Sequence, residues 1–432
     1  MKHIVIIGNG IAGVTAARHL RKNSDDRITI ISKESAYFFS RTALMYVYMG
    51  HMKFEHTQPY EPHFWKKNRI DLLQDTVLQV HPDTNEISLQ QSGVMRYDSL
   101  ILATGSIPNK FGWPGEDLKG VQGLVSKQDL ELLEQNAPNN KVCKRAVIIG
   151  GGLIGVEFAE MMLSRGIEVT FLVREKGFWS GVLPEPNATM IAKHVREHHV
   201  DLREQEELEE ILADSDGRVR GIRTKSGNHI DCQVVGLCAG VRPQIAFLTN
   251  SGIETGRGIL VNEYLQTNID NIYAIGDCAQ QRTPIGQRKA VEAVWYTGRM
   301  MGEAVAQTIT GSPTKWNPGH WFNSAKFFDI EYQTYGWVWN SPKPGNQHFH
   351  WQHSDGMRAV TIEYQTDNDL FVGINTFGIR MKHEVFDYWL TKGASVHDVV
   401  GALDTACFNP EFFAKPYQEI KNSFQQHQLV PS

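Results

Sequence analysis

The sequence predicts an α/β chain: two Rossmann-like dinucleotide-binding domains followed by a C-terminal α+β domain. Three observations carry this. The stretch HIVIIGNGIAGVTAARHL, from residue 3, runs from an apolar strand through Gly8-x-Gly10-x-x-Gly13 into an alanine-rich helix. The same event recurs from residue 145, where RAVIIGGGLIGVEFAEMML places Gly150-x-Gly152-x-x-Gly155 between strand and helix. Beyond residue 310 the texture changes: six of the ten tryptophans lie at 316 or later, among alternating β-type segments such as GMRAVTIEY and LFVGINTFG.

A single glycine fingerprint is weak evidence. Two copies, each between a strand and a helix and each followed by a second apolar strand (27–32 and 168–173), form a strong signal. The chemistry explains the spacing. The first glycine makes the tight turn, the second lets backbone N–H groups close on a pyrophosphate, and the third lets the helix pack on the strand. The positive end of the helix then faces the phosphates.

Between these units the chain punctuates itself. The strand LILATG (100–105) leads to a crossing loop marked by Pro108, Gly112, Pro114 and Gly115, and NAPNNK (136–141) is a polar hinge. The strand VVGLCAG (234–240), followed by Arg242-Pro243, reads as a partner of LILATG that closes the second unit.

Composition sets the outer limits. Lys plus Arg is 43 against 48 for Asp plus Glu, a formal net charge of −5, which excludes nucleic acid as the main partner. Hydrophobic residues at 41% are enough for a sizeable core. No apolar run reaches the length of a membrane span, and Ile4 to Ile7 reads as a first strand rather than a leader. The five cysteines form no CxxC pair, which fits a reducing, cytoplasmic setting.

The ordered set GNGIAG, LILATGS, GGGLIGVE and NIYAIGDCA (271–279) resembles the pyridine nucleotide-disulfide oxidoreductase-like flavoproteins of the glutathione reductase fold. Within that group the chain is most similar to ferredoxin and rubredoxin reductases and to the flavin part of nitrite reductases. The resemblance covers residues 1 to about 310; the C-terminal part matches only loosely, through Trp321-x-x-Ser324-x-x-x-Phe328. It implies an FAD domain in two parts (1–112 and 242–312), an NAD(P) domain (113–241) and a C-terminal interface or acceptor domain (313–432).

The resemblance also implies site residues. Gly8, Gly10 and Gly13 would face the FAD pyrophosphate, Glu34 at the end of the next strand would accept from ribose hydroxyls, and Arg41 would stand near the pyrophosphate. Ala103, Thr104, Gly105 and Gly240 belong to the matching loops. Asp277 would bond a ribitol hydroxyl, and a helix starting near Lys289 would aim its N-terminal amides at the flavin. Trp295 on that helix would lie by the flavin or in the core. In the second unit Gly150, Gly152 and Gly155 would take the NAD(P)H pyrophosphate. Glu157, placed in the helix's first turn, would lie near the nicotinamide or merely complement the helix dipole. Arg174 suits the 2′-phosphate of NADPH and Glu175 the free diol of NADH, so the two point in opposite directions.

Two departures bear on the reaction. The family's disulfide reductases carry cysteine where this chain has SRTALMYVYMG (40–50), so a thiolate relay is not expected. Ferredoxin-type reductases carry a lysine there, and Tyr46 takes its place. No catalytic acid or base is obligatory, because the cofactors supply the reactivity.

Other clusters read as structural. His348, His350 and His353 have no nearby carboxylate or cysteine that completes a ligand set and suggest a surface hairpin, and no metal site is expected. His383-Glu384 suggests a local hydrogen bond. The stripe at 413, 417, 420 and 424 suggests a helix packed on the core, its polar face holding Lys415 and Lys421 against Glu419.

The resemblance therefore implies an FAD-dependent enzyme that takes hydride from NADH or NADPH onto flavin N5. It would pass electrons to a small electron-transfer protein, with a homodimer as one assembly. Two other readings stay open: a peripheral NADH:quinone reductase, and an NADH-binding signalling flavoprotein of the apoptosis-inducing-factor type.

Overall fold

The computed structural model describes residues 1–408 and 416–429. The N-terminal part carries β1 (His3–Ile7), α1 (Ile11–Asn23), β2 (Arg27–Ser32), β3 (Ile70–Gln74), β4 (Ser99–Leu102) and α2 (Lys127–Asn136). The middle part carries β5 (Arg145–Ile149), α3 (Leu153–Ser164), β6 (Glu168–Val173), α4 (Glu185–Glu197), β7 (Asp201–Glu204), β8 (Val234–Leu237), β9 (Ile272–Ala274) and α5 (Trp295–Ile309). The C-terminal part carries β10 (Phe322–Phe327), β11 (Ile330–Gly336), β12 (Asn346–Gln352), β13 (Ala359–Gln365), β14 (Phe371–Phe377), α6 (His383–Lys392), α7 (Val396–Gly401) and α8 (Tyr417–Gln428).

These elements gather into two compact units. The first combines Met1–Phe111, Gly123–Asn136 and Gly240–Pro318; the second combines Gly112–Gln122, Ala137–Ala239 and the chain from Gly319 onward.

The first unit is built on a parallel sheet in the order β9-β4-β1-β2-β3. Its strands are apolar runs without alternation, because both faces are covered: Ile4, Val5 and Ile6, then Leu100, Ile101 and Leu102, are fully buried. The second unit repeats the plan. Its parallel sheet runs β7-β6-β5-β8, with the short segment Val121–Gln122 at the far edge. In both sheets the fingerprint strand is central, its successors extend to one side, and a late strand lies on the other.

The second unit also holds an antiparallel sheet in the order β10-β11-β14-β13-β12. Alternation on β13 splits it cleanly. Val360, Ile362 and Tyr364 join an apolar core with Phe349, Ile374, Phe386 and Ile420, while Thr361 and Glu363 occupy the opposite face. The apolar stripe of α8 is spent here: Tyr417, Ile420 and Phe424 are buried, and Phe424 packs edge-on against Phe349. Phe413 and Lys415 lie outside the described residues. Among the described residues, no helix is long and apolar enough to cross a membrane.

Several expectations need correction. β8 does not pair with β4; it lies beside β5, and the two segments meet one step later, where Val241–Pro243 pairs antiparallel with Ser106–Pro108. Hydrogen bonding in a parallel sheet follows the order in which each unit's strands stack, which apolar composition does not reveal. The helix expected near Lys289 begins instead at Trp295, since residues 288–294 form a loop stapled by a buried Arg288–Glu292 ion pair of 2.9 Å. Two of the three histidines do have carboxylate neighbours: Asp355 Oδ2 lies 3.0 Å from His353 Nδ1, and the second pair belongs to His348. Glu363, fully buried on the adjacent strand, lies 3.0 Å from its Nε2. A sequence separation of 15 residues hid that cross-strand pair.

Candidate dinucleotide sites

The first site forms where β1 turns into α1. Gly8 has φ +116°, and a Cβ there would stand 2.1 Å from the carbonyl oxygen of Ala103. Gly13 packs against the Gly8 carbonyl just as tightly. Gly10 differs: it is the N-cap of α1, and nothing lies within 4 Å of where its Cβ would be. No side chain caps this helix end and no acidic residue sits in its first turn. The result is an open, positively polarised face of the kind that receives a pyrophosphate.

The neighbouring loops are held by backbone partners. The Ala103 amide donates to Ile7 O at 2.8 Å, and the Thr104 hydroxyl donates to Gln244 O at 2.7 Å. Gly105 and Gly240 both take positive φ, and Gly240 O accepts from the Asn109 amide.

Glu34 and Arg41 are brought together. The guanidinium grips the carboxylate with two bonds of 2.8 and 2.7 Å, and Glu34 Oε1 also accepts the Lys127 amide at the start of α2. Asp277 follows Gly276 and is only partly exposed. Its Oδ2 accepts from the Ser106 hydroxyl at 2.8 Å. Burial pushes its carboxyl upward in pKa, opposed by that bond and by the Arg41 charge. Trp295 is the first residue of α5 and 36% exposed, which rules out the core alternative.

Two residues escaped the sequence reading. Asn9, 6% exposed, donates from Nδ2 to Ser35 O at 2.9 Å and so ties the glycine turn to the loop carrying Glu34. A polar residue between the first two glycines was the available signal. Ser106 had none, because its partner Asp277 is 171 residues away.

The second site repeats the geometry. Gly150 has φ +107°, with a hypothetical Cβ 2.7 Å from the Ala239 Cα, and Gly155 packs on the Gly150 carbonyl and Phe171. Gly152 is the uncapped N-cap of α3, and a Cβ there would meet only the Cys238 carbonyl, at 3.8 Å. Glu157 sits one turn deeper than expected, because α3 starts at Leu153 and has no acidic residue in its first turn. Dipole complementation therefore does not account for it. Burial first, and the Glu160 carboxylate second, raise its pKa to about 7, with Lys326 opposing. Arg174 and Glu175 follow β6 as an exposed ion pair of 3.2 Å.

This raised carboxyl has a measurable consequence. A glutamate free in the unfolded chain titrates near 4.5, so the folded state binds the extra proton between there and about 7. Stability should fall as pH rises through that window, with the full penalty above pH 7. Glu157→Gln should remove the slope and stabilise the nucleotide-free protein by about 1–3 kcal/mol at pH 8. Urea unfolding at pH 5 and pH 8 checks this; equal slopes in both proteins would count against it.

All five cysteines are free and buried. Burial pushes the Cys143 thiol to about 11 and Cys232 to about 12, and moves Cys238 and Cys278 upward too. These four are not thiolates at neutral pH.

Two uncapped, glycine-lined helix ends on sheets of one plan define a protein with two dinucleotide-binding units. Residues 2–302 match the pyridine nucleotide-disulphide oxidoreductase family, and the chain belongs to that family. It is 32% identical over 284 residues to the nitrite reductase [NAD(P)H] of Bacillus subtilis (strain 168), covering 65% of this chain and 35% of that protein. It is 31% identical over 338 residues to the 5,5'-dehydrodivanillate O-demethylase ferredoxin reductase subunit of Sphingobium sp. (strain NBRC 103272 / SYK-6), covering 77% and 81%. The chain thus spans about a third of the first relative and most of the second. Its fold is that of a ferredoxin reductase from Rhodopseudomonas palustris, with TM-score 0.81, 22% identity, and coverage of 95% and 98%. Both cradles fit the pyrophosphate of a dinucleotide.

Proposed function

We propose that FAD occupies the first cradle and NAD(P)H the second, and that the enzyme passes reducing equivalents to a small electron-transfer protein. The doubled, uncapped glycine cradle is the observation that carries this reading. The flavin, when bound, supplies the redox chemistry, accepting hydride at N5. The chain's own work is binding and orientation. Residues 1–112 with 242–312 act as the FAD domain, 113–241 as the NAD(P) domain, and 313–432 as the interface or acceptor domain. The amides at Gly10 and Gly152 receive the pyrophosphates, Asp277 with Ser106 takes a ribitol hydroxyl, and Glu34 with Arg41 serves the adenosine side. Glu157, near half-protonation at neutral pH, lies toward the nicotinamide.

Burial of the four high-pKa thiols, and the absence of cysteine from 40–50, support direct electron delivery rather than disulfide reduction. The ferredoxin reductase subunit among its relatives supports a protein acceptor. The free cysteines fit a cytoplasmic location, and a homodimer is the assembly we expect.

Anaerobic titration of the purified yellow protein with NADH and with NADPH tests the reading. Bleaching of the flavin band at about one equivalent is expected. A slow reaction with a persistent long-wavelength band would favour the signalling alternative. Glu175→Ala should weaken NADH more than NADPH; equal losses would remove its assigned role at the ribose diol.

A further inference from the structure

Outside both cradles, the second unit gathers two imidazoles and a carboxylate. His194 lies on α4 and His198 caps its C-terminal end, so the spacing i, i+4 puts both on one helix face, with ring centroids 4.5 Å apart. Asp329 comes from the tight turn between β10 and β11. Phe328 of that turn, at φ +57°, stacks on the His198 ring at 4.4 Å. Asp329 Oδ1 is 2.5 Å from His194 Nε2 and 3.5 Å from His198 Nε2, and one ligand atom from each of the three lies within 4.8 Å of the others.

The proton positions favour a metal. His198 Nδ1 is 3.0 Å from the backbone carbonyl of His194. A carbonyl oxygen only accepts, so Nδ1 carries the proton and, in the neutral ring, Nε2 turns its lone pair toward Asp329. This is the backbone orientation that metal-binding histidines typically use. His194 Nε2 donates to Asp329 as the structure stands. Its Nδ1, 3.9 Å from Glu197 Oε2, can hold that proton once Nε2 binds a cation, or the proton is released to solvent. Tetrahedral zinc ligated at about 2.0–2.2 Å needs ligand atoms roughly 3.3–3.6 Å apart; the 3.5 Å between Asp329 and His198 meets this, and the 2.5 Å Asp329–His194 contact must open by about 1 Å as the ion replaces the shared proton.

We propose that His194, His198 and Asp329 form a binding site for a divalent transition-metal ion, zinc above all. Two imidazole nitrogens and one carboxylate suit zinc better than magnesium or calcium. Water fills the fourth position: His194 is buried at the back of the site, while Asp329, 58% exposed, leaves the front open for entry. The ion pins α4 to the β10–β11 turn and closes a long loop between the nucleotide-binding part and the C-terminal sheet.

The test uses the full FAD-containing protein, stripped with chelator and titrated with Co2+ and then Zn2+. One equivalent of Co2+ should give ligand-field bands beyond the flavin absorption, displaced by Zn2+, with a Kd for zinc of about 1 μM or tighter. His198→Ala and Asp329→Asn should each weaken zinc binding by at least about 100-fold. Asp329→Asn removes one exposed ligand oxygen and leaves the packing in place, so it keeps the test open should His198→Ala fail to fold. Non-saturating zinc uptake, or wild-type affinity in a folded Asp329→Asn, would overturn the proposal and leave only a His194–Asp329 hydrogen bond. Neither readout depends on turnover, so the outcome stands apart from the proposed electron transfer.

Discussion

Replacing Asp277 by alanine is expected to yield a folded chain that purifies with most of its flavin lost. The carboxylate sits at the end of a turn that presents it next to Ser106, and burial has raised its pKa. A buried carboxylate tolerates such a position when it finds further partners, and a ribitol hydroxyl is the partner the proposed site would offer. Losing a hydrogen bond to a charged group costs about 1.5–3 kcal/mol, or roughly 10- to 100-fold in FAD affinity. The ratio of flavin to protein absorbance reads the effect, and rebinding of added FAD gives the affinity. Full occupancy after purification would remove Asp277 from the ribitol.

The second large effect separates two glycines of one fingerprint. Gly8→Ala should prevent stable folding of the first unit. The new Cβ would stand 2.1 Å from the Ala103 carbonyl, on a backbone with φ +116°, and that carbonyl belongs to the end of a central strand that has nowhere to move. Strain and steric displacement together are expected to cost more than about 3 kcal/mol. Gly10→Ala should behave in the opposite way. Its φ of −73° suits alanine and its Cβ meets nothing within 4 Å, so the apoprotein should melt as the wild type does. FAD affinity should nevertheless drop by about 10-fold or more, because the methyl would occupy the space that the proposed site gives the pyrophosphate. Thermal melts and flavin titration of both variants decide this. A Gly10→Ala protein with unchanged affinity would show that the open face is not where the phosphates bind.

The same two glycines show how far the sequence reaches. The α/β class and the doubled fingerprint follow from local pattern, because a strand, a glycine turn and a helix are encoded within about 20 residues. The long-range pairs were not legible. Ser106 meets Asp277 across 171 residues, and the Lys127 amide at the start of α2 reaches Glu34 across 93. The sheet partner of VVGLCAG was misread for the same reason, since two parallel strands of equal apolarity carry no mark of which sheet they join.

Helix starts lie between these extremes. RKAVEAVWYTGRMMGEAVA has good helix composition throughout, which places a start near Lys289. Residues 288–294 instead form a loop in which Ala290 O accepts the Gln281 amide and Arg288 donates to Pro318 O, and α5 begins at Trp295. Propensity is worth tenths of a kcal/mol per residue, and tertiary contacts routinely override it. Glu157 makes the matching point in the second unit. Its place in the sequence suggested the first helical turn, and the actual start of α3 puts it a turn deeper, where burial lifts its pKa.

By itself the sequence determined the two dinucleotide units, the β-rich C-terminal part and the lack of cysteine at 40–50, because each is written in contiguous residues. Only the tertiary structure decided which polar groups meet. His194, His198 and Asp329 converge, Glu363 stands beside His348, and Asp277 finds Ser106 because separate elements are packed together. Burial, which sets the pKa of Glu157 and of the four thiols, is likewise a property of that packing and not of any segment alone.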